Sequence, residues 1–431
     1  MRKNWLRFAV TLAGLGVVLA LVAACSSGAQ APSKPAAQQA APTAAAPASA
    51  AQPAATAAPA SQPAPASGAA KVLKIGSSQS TSGPNASFAQ QALDGLVYGV
   101  KVVNAQGGVK IGGQTYTLDL INYDDGSQAP NAVSNVQKLV DQDKVKVVFG
   151  PASSTSAQPA QKVTEAAKVI NYLSVASVES LTDGTAKYTF RNTPTVSISE
   201  KAEVQFMNSQ GIKSIASIAR QDDSAQTGAK GAKEEMQKYG MKLVGDESIP
   251  IGTTDFYSIL TKVKAQNPGA LLANMGRVEG IPFTKQAREL GLNVPIFGWV
   301  DWVSKEFVNG VGDALGNNVY SYSTASTSPS DKLKAYNADF KKVMGKDPAV
   351  WDSNTYDGLM MVLEAMKTAG TVDDTDKIAN ALRKLDYTGV LGRYTYTPGG
   401  QARMQINIDL IQKGPVVGVP KMEIPGDKLP Y

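Results

Sequence analysis

Histidine is absent from this 431-residue chain, and cysteine occurs once, at Cys25. Without histidine, neither a Ser-His-Asp nor a Cys-His nucleophile arrangement can form. The same two shortages exclude ordinary His/Cys zinc sites and the HExxH sites of metalloproteases. A single cysteine also rules out a disulfide within the chain, so the packed core must supply the stability. The composition thus argues against the commonest enzymatic and metal chemistries.

Concentrated positive charge is lacking as well. The formal net charge is +6, and four of the basic residues lie in the first 70 residues, which leaves the rest close to neutral. No basic block and no basic-aromatic stripe is present, so a nucleic-acid partner is not expected. Phosphate-loop, GxSxG and SxxK patterns are missing too. We therefore predict no enzyme activity, no cofactor and no metal site.

The N-terminus reads as an export signal. A basic start, Met1–Arg7, precedes an uninterrupted apolar run, Phe8–Ala24, which is short for a membrane span and typical of a signal peptide. The run ends in LVAAC, which resembles the lipobox of bacterial lipoproteins. By that resemblance residues 1–24 are removed, Cys25 is lipidated, and the protein is extracytoplasmic and tethered to a membrane.

Residues 25–70 after this signal are almost entirely Ala, Pro, Gln, Ser and Thr. A proline every few residues interrupts any helix that the alanines favour. The segment cannot bury enough apolar surface to fold, so we predict a disordered tether between the lipid anchor and a folded domain.

From Lys71 onward, strand and helix patterns alternate. A first series runs from Val72–Gly76 to Val169–Leu173, and a second begins after Pro194, with helices again separating short apolar strands. Repeated β-α alternation with short links predicts parallel sheets that are covered on both faces. Two series with the same order of elements predict two similar α/β lobes.

A serine-rich segment is the strongest candidate for a binding site. Val145–Phe149 is predicted as a buried strand; Gly150 and Pro151 end it, and hydroxyl residues follow where a helix begins, at Ser153, Ser154, Thr155 and Ser156. Hydroxyls there are predicted to cap the helix, while free N–H groups and the helix dipole favour an anion. Ordinary capping explains any one of these serines. The run as a whole indicates a site for a small anion or carboxylate, and a second serine-rich strand end, Leu173–Ser180, supports this.

Five short motifs in the same order resemble the type I periplasmic solute-binding proteins of ABC importers, specifically the leucine/isoleucine/valine-binding group. They are SGP at Ser82–Pro84, NAQGGV at Asn104–Val109, YDD at Tyr123–Asp125, the Gly150–Pro159 loop and Tyr356-Asp357 in a late helix. The resemblance covers about residues 71–420. It implies two Rossmann-like lobes joined by three crossing strands, near Asn192, Ser323 and Gln405. Lobe 1 would comprise 71–191 with 327–403, and lobe 2 would comprise 194–322 with 405–420.

The resemblance also implies roles for individual residues. Ser154 and Ser177 would hold a ligand carboxylate, with Ser153 and Thr155 beside them. Phe88 would wall the pocket, and Asp301 beside Trp299 would receive an ammonium group. The chain departs from the group at Ala225, where its amino-acid binders usually have tyrosine.

Two arginines widen the choice of ligand. Arg220 and Arg277 each follow a predicted strand of lobe 2, at the edge that faces the ligand. Each could bind a carboxylate or pair with a nearby acid, Asp222 or Glu279. The function predicted first is the receptor of an ABC importer for a small amino acid, branched-chain ones foremost, acting as a monomer with a membrane permease. Aromatic acids, dicarboxylic acids, amide or urea-like solutes, and a role in ligand sensing stay open as alternatives.

Overall fold

The computed structural model describes residues 69–324, 330–414 and 417–429. The predicted signal peptide, Cys25 and nearly all of the predicted tether lie outside these residues. None of the helices in the described ranges combines the length and the apolar character needed to cross a membrane.

The first sheet forms the centre of lobe 1. Its strands are β1 (Lys71–Ser78), β2 (Val109–Ile111), β3 (Gln114–Tyr123), β4 (Val147–Phe149), β5 (Ile170–Leu173) and β6 (Thr189–Arg191), in the order β2-β3-β1-β4-β5-β6. The helices between them are α1 (Ala86–Ala105), α2 (Ala129–Asp141) and α3 (Ser154–Ala167). Every pairing is parallel except that of the edge strand β2. Strands β4 and β5 are buried at every residue, which is why they read as continuous apolar runs.

The second sheet forms the centre of lobe 2. Its parallel strands are β7 (Ser214–Arg220), β8 (Lys242–Ile249), β9 (Ala270–Asn274), β10 (Ile296–Gly298) and β11 (Val319–Ser323). The helices of this part are α4 (Val196–Ser209), α5 (Asp223–Lys238), α6 (Tyr257–Ala265), α7 (Arg277–Glu289) and α8 (Lys305–Val311). Asp222 caps α5 by accepting from the N–H of Ala225, and Ser304 caps α8 in the same way.

The chain then returns to lobe 1. This segment contains α9 (Asp331–Met344), α10 (Val350–Ala369), α11 (Thr375–Arg383) and a small antiparallel sheet of β12 (Asp386–Thr388), β13 (Arg393–Tyr396) and β14 (Ala402–Arg403). An aromatic cluster fixes its place: the ring centroid of Tyr98 on α1 lies 5.2 Å from that of Tyr336 and 5.1 Å from that of Phe340, both on α9. These rings belong to the main core of lobe 1.

The last strands complete lobe 2. β15 (Ile406–Ile411) pairs antiparallel with β11, and β16 (Gly418–Ile424) pairs antiparallel with β15. The α/β architecture with two lobes is therefore confirmed, although antiparallel strands close one edge of each large sheet. The strands of this late region are divided between two sheets: β13 and β14 belong to the small sheet, whereas β15 joins the sheet of lobe 2. The lobe boundaries stay predictions.

Candidate functional site

A cavity of about 260 Å³ lies between the two lobes. It opens at the carboxyl ends of β4 and β5 in lobe 1 and of β7, β9 and β10 in lobe 2, where parallel α/β sheets place their ligands. Its lining joins hydroxyl, aromatic and charged side chains, including Phe88, Ser153, Ser154, Thr155, Ser177, Arg220, Ser224, Trp299, Asp301 and Trp351. The predicted serine segment and the predicted lobe 2 residues therefore meet at one place.

Ser154 does not act as a cap, contrary to the expectation for this run of hydroxyls. Ser153 is the residue before α3, and its side chain makes no capping hydrogen bond. The buried Oγ of Ser154 instead accepts from the N–H of Ser177 at 3.1 Å and of Val178 at 3.2 Å. The hydroxyl thus connects the segment after β4 to the segment after β5, the two serine-rich strand ends that are separate in the sequence. It also engages the backbone N–H groups of Ser177 and Val178.

Arg191 fixes the other side of that loop. Its fully buried guanidinium donates to the carbonyl oxygens of Val178 at 2.7 Å and Ala176 at 3.4 Å. It also donates to Gln401 Oε1 at 2.7 Å, and Gln401 Nε2 donates to the carbonyl of Thr193 at 2.8 Å. Because Thr193 lies between β6 of the first sheet and α4, these bonds connect the loop that holds Ser177 to the segment between β6 and α4.

Arg220 lines the cavity from lobe 2, but two nearby carboxylates already offset its positive charge. Its Nε lies 2.7 Å from Asp222 Oδ2, its Nη1 lies 3.6 Å from Glu279 Oε1, and its guanidinium lies 4.9 Å from the centre of the Trp299 ring. All three charged side chains are nearly buried. With two carboxylates facing one arginine, this end of the cavity is not a strong site for a second ligand carboxylate.

Asp301 presents an unused acceptor. Its Oδ2 accepts from the backbone N–H of Arg277 at 2.8 Å, whereas its buried Oδ1 has no hydrogen-bond partner among the described residues. Burial raises the pKa of the Asp301 carboxyl, against the lowering effect of that N–H and of the positive charges of Arg277 and Arg220. A ligand that donates a hydrogen bond or brings a positive charge would satisfy this oxygen.

Trp299 forms a fixed wall of the cavity. Its indole Nε1 donates to Glu200 Oε1 at 3.2 Å, and Arg220 lies over the ring. Glu200 is fully buried together with Glu203, and burial raises the pKa of Glu200 to about 8. The ring is therefore held from two sides, so it offers a flat surface of defined orientation.

Trp302 has a structural role. Its ring is fully buried, stacks on Phe307 with centroids 4.6 Å apart, and donates Nε1–H to the carbonyl of Met275 at 3.1 Å. A Cβ on either Gly280 or Gly298 would overlap its ring atoms. The two glycines thus leave the space that the ring of Trp302 occupies.

Eight of the nine ligand-binding residues predicted from the sequence line this cavity; Arg277 does not. The Arg277 side chain lies in a neighbouring surface pocket, where its Nη1 is 3.3 Å from Glu306 Oε2. Its contribution to the site comes from its backbone N–H, which orients Asp301. Thr155 is exposed and lies at the rim, whereas Ser154 is buried.

Three residues were not anticipated. Ser224 lies where a strand, β7, gives way to a helix, α5. Ser154 was singled out for standing at the same kind of strand-to-helix junction, so Ser224 could have been found from the sequence. Glu200 lies inside α4 and Arg191 in a short strand, and neither sequence context distinguishes them from surface charges. Among the described residues, no group of three acidic, cysteine or histidine side chains could hold a metal ion.

The two lobes and the cavity between them define a solute-binding protein of the two-lobed class. The model of the family described as periplasmic binding protein matches residues 72–413, and the chain belongs to this family.

Named relatives agree with that assignment. The chain is 27% identical to a Leu/Ile/Val-binding protein homolog 8 of Brucella abortus, over 73% of this chain and 80% of the relative. Among solved structures, the branched-chain amino acid substrate-binding protein LivJ of Streptococcus pneumoniae, in complex with isoleucine, is 26% identical with a TM-score of 0.73, covering 82% of this chain and 100% of that one. A solute-binding protein of Rhodopseudomonas palustris in complex with 3,4-dihydroxybenzoic acid is 23% identical with a TM-score of 0.75, covering 82% and 98%.

Proposed function

We propose that the chain is the extracytoplasmic receptor of an ABC importer, anchored through lipidated Cys25. It binds a small amino acid, branched-chain ones foremost, between its lobes and delivers it to the membrane permease. In this proposal the chain acts as a monomer, carries no cofactor and catalyses no reaction. Ligand binds lobe 1 first, and hinge motion then brings lobe 2 onto it.

The observation that carries the proposal is that one wall of the cavity offers hydrogen-bond donors and the other offers a carboxylate oxygen. One wall has the hydroxyls of Ser154 and Ser177, which can donate to a carboxylate, and Ser154 Oγ is held in place by the N–H groups of Ser177 and Val178. The other wall has the unpartnered Oδ1 of Asp301, which suits an ammonium group. Phe88 and Trp299 add aromatic surface to the lining of the cavity. The match to the S. pneumoniae protein bound to isoleucine supports the same ligand class.

An aromatic acid is the second candidate. The oriented ring of Trp299 and the nearby Phe88 could stack a benzene ring, and the R. palustris neighbour bound to a dihydroxybenzoate supports this choice. A dicarboxylic acid is less well supported, because Asp222 and Glu279 already offset the charge of Arg220. Amide or urea-like solutes and a sensing role have no contact that favours them.

A thermal-shift panel on the purified chain tests the ligand class. The probes are leucine, 4-methylpentanoate (which lacks the ammonium group), leucinamide, benzoate, glutarate and acetamide. A ligand that binds only the folded state raises the melting temperature as its concentration rises. Leucine should give the largest shift and 4-methylpentanoate a much smaller one. A shift with benzoate alone would replace the amino acid by an aromatic acid.

Asp301→Asn separates the two candidates further. The change should weaken leucine binding by about tenfold or more, because a hydrogen bond to a charged partner is worth about 1.5–3 kcal/mol. Benzoate, which brings no ammonium group, should lose little. Asp313→Asn is the matched control, since Asp313 is an exposed acid of lobe 2 paired with Lys413. Equal leucine affinity in wild type and Asp301→Asn would remove Asp301 from the site.

A further inference from the structure

Hydroxyl groups from both lobes meet at one edge of the cavity. Ser224 Oγ in lobe 2 lies 2.7 Å from Ser154 Oγ and 3.5 Å from Ser177 Oγ, both in lobe 1. Ser154 Oγ also accepts from the backbone N–H groups of Ser177 and Val178. Ser224 therefore lies next to the carboxylate position of lobe 1, although it belongs to the opposite lobe.

The local backbone adds to this arrangement. Ser224 occupies the first turn of α5, and Ser154 is the first residue of α3, so two helix N-termini converge on the hydroxyl cluster. Of the α5 donors, the N–H of Ala225 is taken by the side chain of Asp222. The dipoles of both helices favour a negative charge at the point where they meet.

The acids nearby oppose an anion only weakly, because Asp222 is paired with an arginine and Asp223 is exposed to solvent. Asp222 pairs with Arg220 at 2.7 Å. The carboxylate of Asp223 accepts from Gln158 Nε2 at 2.8 Å, a second polar bond between α5 and α3. The lobes thus already touch through a hydroxyl pair and an amide–carboxylate pair between α3 and α5.

We propose that Ser224 is a ligand contact, so that the carboxylate of the solute is held by hydroxyls of both lobes at once. This inference rests on the proposed function, and adds to it a lobe 2 residue that recognises the anionic group. A carboxylate oxygen that enters between Ser154 and Ser224 accepts from both hydroxyls in place of their mutual hydrogen bond. Recognition of the anion then becomes part of lobe closure, because Ser224 reaches the ligand only when the lobes are together.

Ser224→Ala tests the proposal with pairs of probes that differ only in the anionic group: leucine against leucinamide, and benzoate against benzamide. Affinities are measured by calorimetry. The variant should bind the carboxylate that wild type prefers about ten- to a hundredfold more weakly, and should lose less affinity for the matching amide, whose oxygen accepts a weaker, uncharged hydrogen bond. The loss should arise mainly from faster dissociation, since lobe 1 still captures the ligand first.

Thr227→Ala is the matched control, because Thr227 lies one turn further along α5 and does not line the cavity. It should leave all four affinities unchanged. Wild-type carboxylate affinity in Ser224→Ala, with binding lost in Ser154→Ala, would overturn the role of Ser224 and leave the proposed function standing. If wild type binds none of the four probes, the carboxylate ligand and the contact made by Ser224 are both overturned.

Discussion

Replacing Arg191 by methionine should damage stability and ligand binding together. The side chain is fully buried in lobe 1 and donates to the carbonyls of Ala176 and Val178, to Gln401 Oε1, and to Thr182 Oγ1 at 2.6 Å. Methionine fills much of the same space but donates no hydrogen bond. The change therefore leaves buried acceptors without this donor while keeping most of the packing.

The size of the stability loss follows from these bonds. A hydrogen bond from a charged donor contributes about 1.5–3 kcal/mol, and neighbouring bonds do not add fully. We expect Arg191→Met to lower the free energy of unfolding by about 3–5 kcal/mol. Denaturation by urea, with a slope unchanged from wild type, measures this quantity.

The effect on ligand binding follows from peptide geometry. The carbonyl of Ala176 and the N–H of Ser177 belong to one planar peptide group and point in opposite directions. When Arg191 holds that carbonyl, the N–H faces Ser154 and the cavity. Without the guanidinium the loop can rotate, so ligand affinity should fall at least tenfold in the protein that remains folded.

Arg383→Met is the control for this prediction. Arg383 also lies in lobe 1 and also donates to backbone carbonyls, those of Pro398 and Ala379, but it does not line the cavity. Its replacement should cost some stability and leave ligand affinity unchanged. Folded Arg191→Met protein with the affinity of wild type would refute the reasoning, since the loop would then hold its shape without the arginine.

Two further predictions concern stability. Gly280→Ala should lower the free energy of unfolding by about 1–3 kcal/mol in urea denaturation, because the new methyl group overlaps the buried ring of Trp302. Helix propensity alone would instead raise the stability, so a more stable variant would contradict this packing argument. The pKa of Glu200, raised by burial from 4.5 to about 8, makes the folded state bind more protons than the unfolded state between these values. The free energy of unfolding should therefore fall as pH rises from about 5 to 8, and Glu200→Gln should reduce that slope. Equal slopes in the two proteins would contradict the second prediction.

Much of the architecture could be predicted because the spacing of apolar residues along the chain indicates which side chains are buried. Val147–Phe149 is buried at every residue, and the strand, the turn at Gly150 and the following helix lie where the pattern indicated them. The late strands could not be assigned in the same way. β14 and β15 are separated by two residues but belong to different sheets, and their pairing depends on partners distant in the chain.

Side-chain roles were harder to predict than positions. Ser154 was expected to cap α3, yet its hydroxyl serves the loop at Ser177 and Val178, a contact that only the tertiary structure creates. Arg220 and Arg277 follow similar strand ends, but Arg220 points into the cavity and Arg277 points to Glu306. Asp222, two residues from Arg220, is its partner as the sequence suggested, but the sequence does not show that Glu279 faces Arg220 while the nearby Arg277 pairs with Glu306.

The position of the tryptophans has a practical consequence. The chain has four, and the three within the described residues are Trp299, Trp302 and Trp351. Trp299 and Trp351 line the cavity, one from each lobe, whereas Trp302 is fully buried and does not line it. A solute that binds in the cavity is expected to change the surroundings of the Trp299 and Trp351 indole rings, whereas Trp302 adds a constant background. The intrinsic fluorescence of the protein is therefore expected to report occupancy directly, so that solutes can be titrated without attaching a dye.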